Sequence, residues 1–216
     1  MTTATLYETI QRIVQAELKR QQTAELATVQ ESHPHASKSD MDNYACTVVM
    51  RNTGLVLTQV PVATAKVGHV SVPLPGELVL VQFIGGDLNA PVITGSFYTD
   101  KARPPVNTEQ QTLWQLPAEA EKDKAVRLQL SGKAPCEIRM QVGGSCSLTL
   151  IDDDPVVTVK VGDAATVQID RDGAVNVTSQ GAMKLEANTI EMKAQTDFKL
   201  EAGANMTIKG ALVNIN

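Results

Sequence analysis

Aromatic residues make up only 3% of this 216-residue chain, with a single Trp. A large core built on rings is therefore excluded, and Val, Leu, Ile and Ala must supply the burial. Cysteine is scarce as well: Cys46, Cys136 and Cys146 are an odd number at no metal-ligand spacing. Reduced thiols in a cytosolically assembled protein are the plain reading, with a Cys136–Cys146 disulfide as the alternative. No apolar run approaches the roughly 20 residues that a membrane-spanning helix needs. The first residues have neither the basic stretch nor the apolar core of a classical export signal, so none is expected. Positive charge is in deficit. A formal net charge of -5 argues against a nucleic-acid partner held by phosphate neutralisation. What the chain does have is 43% apolar residues, which exclude wholesale disorder and suffice for two or three small modules.

The most informative apolar residues repeat. From Val159 onward, pairs separated by one polar residue recur: Val159/Val161, Val167/Ile169, Val175/Val177 and Met183/Leu185. Ile190/Met192, Phe198/Leu200, Met206/Ile208 and Val213/Ile215 continue the series. From the second pair on, the first members step by 8, 8, 7, 8, 8 and 7 residues. A fixed period this short predicts stacked strands. Residues i and i+2 of a strand face one side, so each doublet places two side chains inward. Gly162, Asp172-Gly173, Gly181, Asn188, Gly203 and Gly210 fall where corners must turn, and Gln195-Thr196 is the weakest corner.

Upstream, residues 3–29 read as a helix, with Leu6, Ile10, Ile13, Val14 and Leu18 on one stripe. A helix isolated before a β-rich chain has little to pack on, so its stripe reads as a docking or oligomer contact. Residues 30–40 form a polar linker. Five short strands are expected in a small OB-like barrel: Tyr44–Arg51, Leu55–Pro61, Gly68–Val72, Glu77–Ile84 and Val92–Tyr98. Lys101–Lys124, with Pro104-Pro105 and Pro117, reads as an extended connector. Strands resume at Ala125–Leu130, Glu137–Val142 and Ser147–Ile151. The parts are therefore 1–40 (helix and linker), 41–100 (barrel), 101–124 (connector) and 125–216 (spike).

Two geometries suit the periodic strands. One chain could coil alone, at about 23 residues per turn, leaving two open ends on a stack of under three turns. Three chains could instead wrap one axis, each strand pairing with strands of its neighbours at about 4.8 Å spacing. A doublet of small side chains fills only a narrow centre, and three-fold symmetry closes that centre from all sides. The expected fold is mainly β: an N-terminal helix, an OB-like barrel, and an intertwined triple-stranded β-helix in a homotrimer. Interlocked chains resist sliding, because many ladder hydrogen bonds must break together.

Val79-Leu-Val-Gln-Phe-Ile-Gly-Gly-Asp-Leu-Asn-Ala-Pro-Val-Ile-Thr-Gly-Ser-Phe-Tyr98 resembles the barrel of contractile-tail spike proteins. In that family a Val-x-Phe strand end is followed by a Gly-Asp loop and then Pro-x-Ile-x-Gly-x-x-Tyr. Pro75-Gly76-Glu77 is similar to the Pro-x-x-Gly-Glu element that precedes them. The resemblance covers about residues 44–216 and is to phage baseplate assembly protein V, with pyocin spikes and type VI valine-glycine-repeat proteins as relatives. It implies a homotrimeric needle that leads the tail tube and punctures the target outer membrane when the sheath contracts. It also implies a virion baseplate or phage-like particle assembled in bacterial cytoplasm, with tail hub proteins at the N-terminal side. Short relatives end in a His-x-His element that binds iron at the tip. No His lies beyond His69 here, so the resemblance implies a blunt end covered by a separate PAAR-like tip protein. No lysozyme-sized insertion is matched.

No residue emerges as catalytic, cofactor-binding or metal-ligating. His33-Pro34-His35 has two-His spacing but sits in the polar linker, and Asp152-Asp153-Asp154 reads as a charged turn before Pro155. Ser145, Ser147 and the cysteines have no His close in sequence, so nucleophilic catalysis has no support. Gly85-Gly86-Asp87 lacks the Lys and following helix of a phosphate loop. Met183, Met192 and Met206 read as filler for a narrow core. The rival functions are a β-helical carbohydrate-active enzyme and an OB-fold binding module. The first wants clustered carboxylates with sugar-stacking rings. The second wants a basic groove with stacking rings, and Tyr44, Phe83, Phe97 and Tyr98 are few. The expectation is a structural protein without enzymatic activity.

Overall fold

The computed structural model describes residues 5–20 and 23–214. It is mainly β: one helix, then two antiparallel sheets. Helix α1 runs Leu6–Arg20 and starts at a reciprocal cap. The Thr5 amide donates to Glu8 Oε2 at 3.0 Å, and the Glu8 amide donates to Thr5 Oγ1 at 3.3 Å. Two otherwise orphaned amides are satisfied in this way. Leu6, Tyr7, Ile10, Ile13 and Val14 are exposed, as an undocked stripe would be.

The helix expected over 3–29 is too long. Glu25–His33 is strand β1, and it is the central strand of the first sheet. Ala27 and Val29 are buried at period two, a strand spacing that the helix-forming residues around them conceal. The polar linker therefore shrinks to the residues after His33, and the sheet begins well before the expected residue 41. β2 (Ala45–Met50), β3 (Val56–Pro61), β4 (Leu78–Phe83) and β5 (Pro91–Phe97) complete it in the order β3-β2-β1-β4-β5. A parallel bridge from Val62 to Ile93 joins the two edges, which closes the cycle β1-β2-β3-β5-β4 into an OB-like barrel. Gly68–Val72, expected as a strand, forms none. The Ser71 amide instead donates to Tyr44 Oη at 2.8 Å. Val29, Val48, Val60, Val79, Val81 and Ile93 dominate the core, with Phe83 its only ring among the described residues.

The second sheet is a seven-stranded antiparallel meander in sequence order. Its strands are β6 (Gln111–Leu116), β7 (Val126–Ser131), β8 (Glu137–Val142) and β9 (Cys146–Ile151). β10 (Val157–Val161), β11 (Ala165–Ile169) and β12 (Val175–Ser179) follow. β6 lies inside the expected connector. The prolines of that stretch bound the strand instead of dissolving it. A second correction concerns the repeat. The doublets on β10, β11 and β12 pair within one chain, with Val159 opposite Val167 and Val167 opposite Val177. They do not wait for neighbouring chains. Residues 180–214 have no strand partner among the described residues.

Candidate functional site

Directly opposed residues of an antiparallel ladder share a face, so the register sorts every side chain of the second sheet. One row runs Leu130, Ile138, Leu150, Val157, Ile169 and Val175. The middle row starts at Trp114 and continues Leu128, Met140, Leu148, Val159, Val167 and Val177. The third is Leu116, Val126, Val142, Cys146, Val161 and Ala165. Only at the outer strands does a polar residue enter, Thr112 in the first row and Ser179 in the third. Nineteen ladder positions of one face are apolar or thiol, and the face is open. Leu116 is 69% exposed, Val142 57% and Val175 61%.

The opposite face is knit together. Arg127 donates to Gln115 Oε1 at 2.8 Å, Gln111 donates to Ser131 Oγ at 3.3 Å, and Arg139 lies 3.4 Å from Glu137. Along β8 the polar residues are the half-buried ones and the apolar residues the exposed ones. An isolated soluble sheet would expose its polar face and hide the other. The inversion marks the apolar face as an assembly surface, because a contiguous exposed patch of this extent is a contact site. The free segment continues the pattern: its doublets from Met183 to Ile208 are between 51% and 64% exposed.

The candidate residues named from sequence are scattered. His33 is the last residue of β1, not part of a linker, and its Nε2 lies 2.9 Å from Thr47 Oγ1. His35 faces elsewhere, with Nδ1 2.7 Å from Asp40 Oδ1. The Ser37 backbone amide, aided by His35, holds the Asp40 carboxyl below the usual carboxylate range. Among the described residues no group of three His, Cys, Asp or Glu side chains could hold a metal ion. Asp152 pairs with Arg171 at 2.9 Å and Asp154 accepts the Arg171 amide at 3.0 Å, so this acidic run ties one hairpin end to the next. Gly85 and Gly86 turn at positive φ between β4 and β5, and Asp87 Oδ1 accepts the Asn89 amide. Ser147 belongs to the second sheet and Ser145 to the turn before β9, whereas all three histidines precede residue 70. Cys46 is buried in the barrel, and burial pushes its thiol up; Cys136 and Cys146 are exposed. Trp114 and Leu116 were missed as members of the surface because their strand was hidden among prolines.

A family model described as the type VI secretion system/phage-baseplate injector OB domain matches residues 47–98. The matched stretch takes in β3, β4, β5 and most of β2, and contains the Val79–Tyr98 motif. No curated protein matches the chain. The chain thus carries a β-barrel similar to the OB domain of baseplate injectors. That similarity points to a structural role in a tail baseplate, in assembly with other baseplate and tail components.

Proposed function

We propose that three copies of this chain form the central spike of a contractile tail baseplate, a needle that leads the tail tube and punctures the target envelope. The observation that carries this reading is the inverted second sheet, apolar where it is open and hydrogen-bonded where it is covered. Six-residue strands make a face about 20 Å wide. Three such faces arranged as a prism bring each sheet within about 6 Å of the axis, close to half the roughly 10 Å spacing of packed sheets. The middle row then meets its symmetry mates at the axis, and the outer rows of adjacent copies meet at the corners. Seven strands stack to roughly 29 Å of shaft. Beyond β12 the free doublets wind as a triple-stranded β-helix, where each unpaired strand finds partners in the other two chains.

The undocked stripe of α1 suits a contact with tail hub proteins at the N-terminal side. The last doublets suit a PAAR-like tip protein, which would cover unpaired backbone groups and the apolar centre. Work on the membrane comes from sheath contraction, so no covalent chemistry is required of the chain. The polar face carries Arg127, Arg139 and Lys160 against Glu137, with no paired carboxylates and rings of the kind a sugar-cleaving site needs. Light scattering tests the proposal. The expected solution mass is three times 23.1 kDa, and a monomer or dimer would refute it.

A further inference from the structure

The free segment carries charge in an order that the doublets alone do not explain. The residue between the two apolar members of a doublet is Lys184, then Glu191, then Lys199, and Thr207 in the last complete repeat. The residue just after each doublet is Glu186, Lys193, Glu201 and Lys209. Every step between charged residues of successive repeats reverses sign, in both columns. All seven charged side chains are exposed, and among the described residues none is in an ion pair.

Strand geometry says what such an order is for. Both columns lie on the face opposite the doublets, because they are offset from them by one residue and from each other by two. In parallel strands one repeat apart, equivalent residues stack about 4.8 Å apart. Lys184 then lies beside Glu191, and Glu186 beside Lys193. Cross-strand opposite charges stabilise, and like charges opposite one another destabilise. An offset of two repeats would stack Lys184 on Lys199 and Glu186 on Glu201. A zero offset would stack each charge on itself.

The second column also separates parallel stacking from a continued meander. If the antiparallel hairpins of β10–β12 ran on, Lys184 would still oppose Glu191, and Glu191 would oppose Lys199. Glu186 would face Thr189, however, and Glu201 would face Asn205, so that only Lys193, against Asp197, would meet an opposite charge. Opposite charges meet along the whole column of Glu186, Lys193, Glu201 and Lys209 only when strands run parallel. Copies related by a three-fold axis supply parallel strands on each face of the rod, with successive repeats drawn from different chains.

We infer that these two columns form ladders of alternating charge through which the terminal segments of three copies select parallel stacking offset by one repeat. The partner is thus the same segment of a second copy, and the inference rests on the trimeric reading above. Hydrophobic doublets of similar size would tolerate a slip of one repeat. The charges do not, so they fix register and chain order during winding.

Glu201→Lys tests this. It places a like charge between Lys193 and Lys209 of neighbouring chains, about six repulsive contacts per trimer. The melting temperature at low salt should fall by roughly 5 °C or more, and less in 1 M salt. Inverting the whole column (Glu186→Lys, Lys193→Glu, Glu201→Lys and Lys209→Glu together) restores alternation and should restore the melting temperature. If Glu201→Lys leaves a trimer unchanged, or the inverted column melts as low as the single variant, the ladder is wrong while the three-chain needle stands. If the unaltered chain is monomeric by light scattering, the needle is wrong and the ladder falls with it.

Discussion

Leu148 and Thr149 are neighbours on β9 with opposite fates in the proposed trimer. Leu148 lies in the middle apolar row, between Met140 and Val159. Thr149 lies on the polar face, where its Oγ1 accepts from Arg139 Nε at 3.4 Å. In a prism of three sheets, Leu148→Asp sets three carboxylates around the axis at one level. Each copy loses about 2 kcal/mol of leucine burial and gains an unpaired buried charge costing several kcal/mol. Over three copies the penalty is on the order of 15 kcal/mol, more than the stability of most domains. The variant should fail to form trimer by light scattering at neutral pH while the barrel keeps its fold. Part of the loss should return in acid. Burial raises the folded-state carboxyl above its unfolded value near 3.9, so stability is present below that value and is lost as pH rises through the folded one. Thr149→Asp puts the same charge beside Arg139 on the outer face and should leave the trimer intact. If Leu148→Asp forms trimer as readily as Thr149→Asp does, the assignment of the inner face is wrong.

Two further outcomes follow from the same geometry. With a thiol reagent under native conditions, Cys136 should react quickly, whereas Cys146, on the apolar face, should be protected by assembly and Cys46 by the barrel core. Labelling of Cys146 at the rate of Cys136 in the intact particle would place that face in solvent. Leu185→Asp, in the free segment, should abolish the resistance to SDS expected of wound chains, because it charges the narrow centre beyond the sheet. A variant as resistant as the parent would show that the doublet at Met183 and Leu185 does not point inward.

Much of the barrel was legible because its strands alternate and its turns carry Gly and Pro at the required places. β2, β3, β4 and β5 fall within a residue or two of their expected limits. β1 was not legible. Glu25, Leu26 and Ala27 favour helix, and their strand state depends on the barrel needing a central partner for both β2 and β4. The helix start was written plainly in Thr5-x-x-Glu8, whose capping chemistry the apolar stripe overshadowed. The doublets gave the period but not the partner. A strand spacing of eight residues serves a corner between chains or a hairpin within one. The local signal that decides is turn chemistry. Asp172-Gly173, with Gly173 at φ 90 and the Ala174 amide on Asp172 Oδ1, is a hairpin turn, and it sends β12 back along β11.

That distinction divides the proposed needle into two mechanical parts. From β6 to β12 every ladder hydrogen bond of the meander lies within one chain, so three finished sheets are joined in the proposed trimer only by their apolar faces. Such a joint is strong in area but has no strand crossing between chains. Beyond Ser179 the described residues form no strand pairing, and the doublets and charges recur every seven or eight residues. In the proposed trimer, winding there would tie each copy to the other two through backbone bonds, at the end proposed to meet the envelope first. An interlocked part ahead of a docked part would put the greatest resistance to splaying where the axial load of such a spike enters. The shaft behind it would then have only to keep its three faces together.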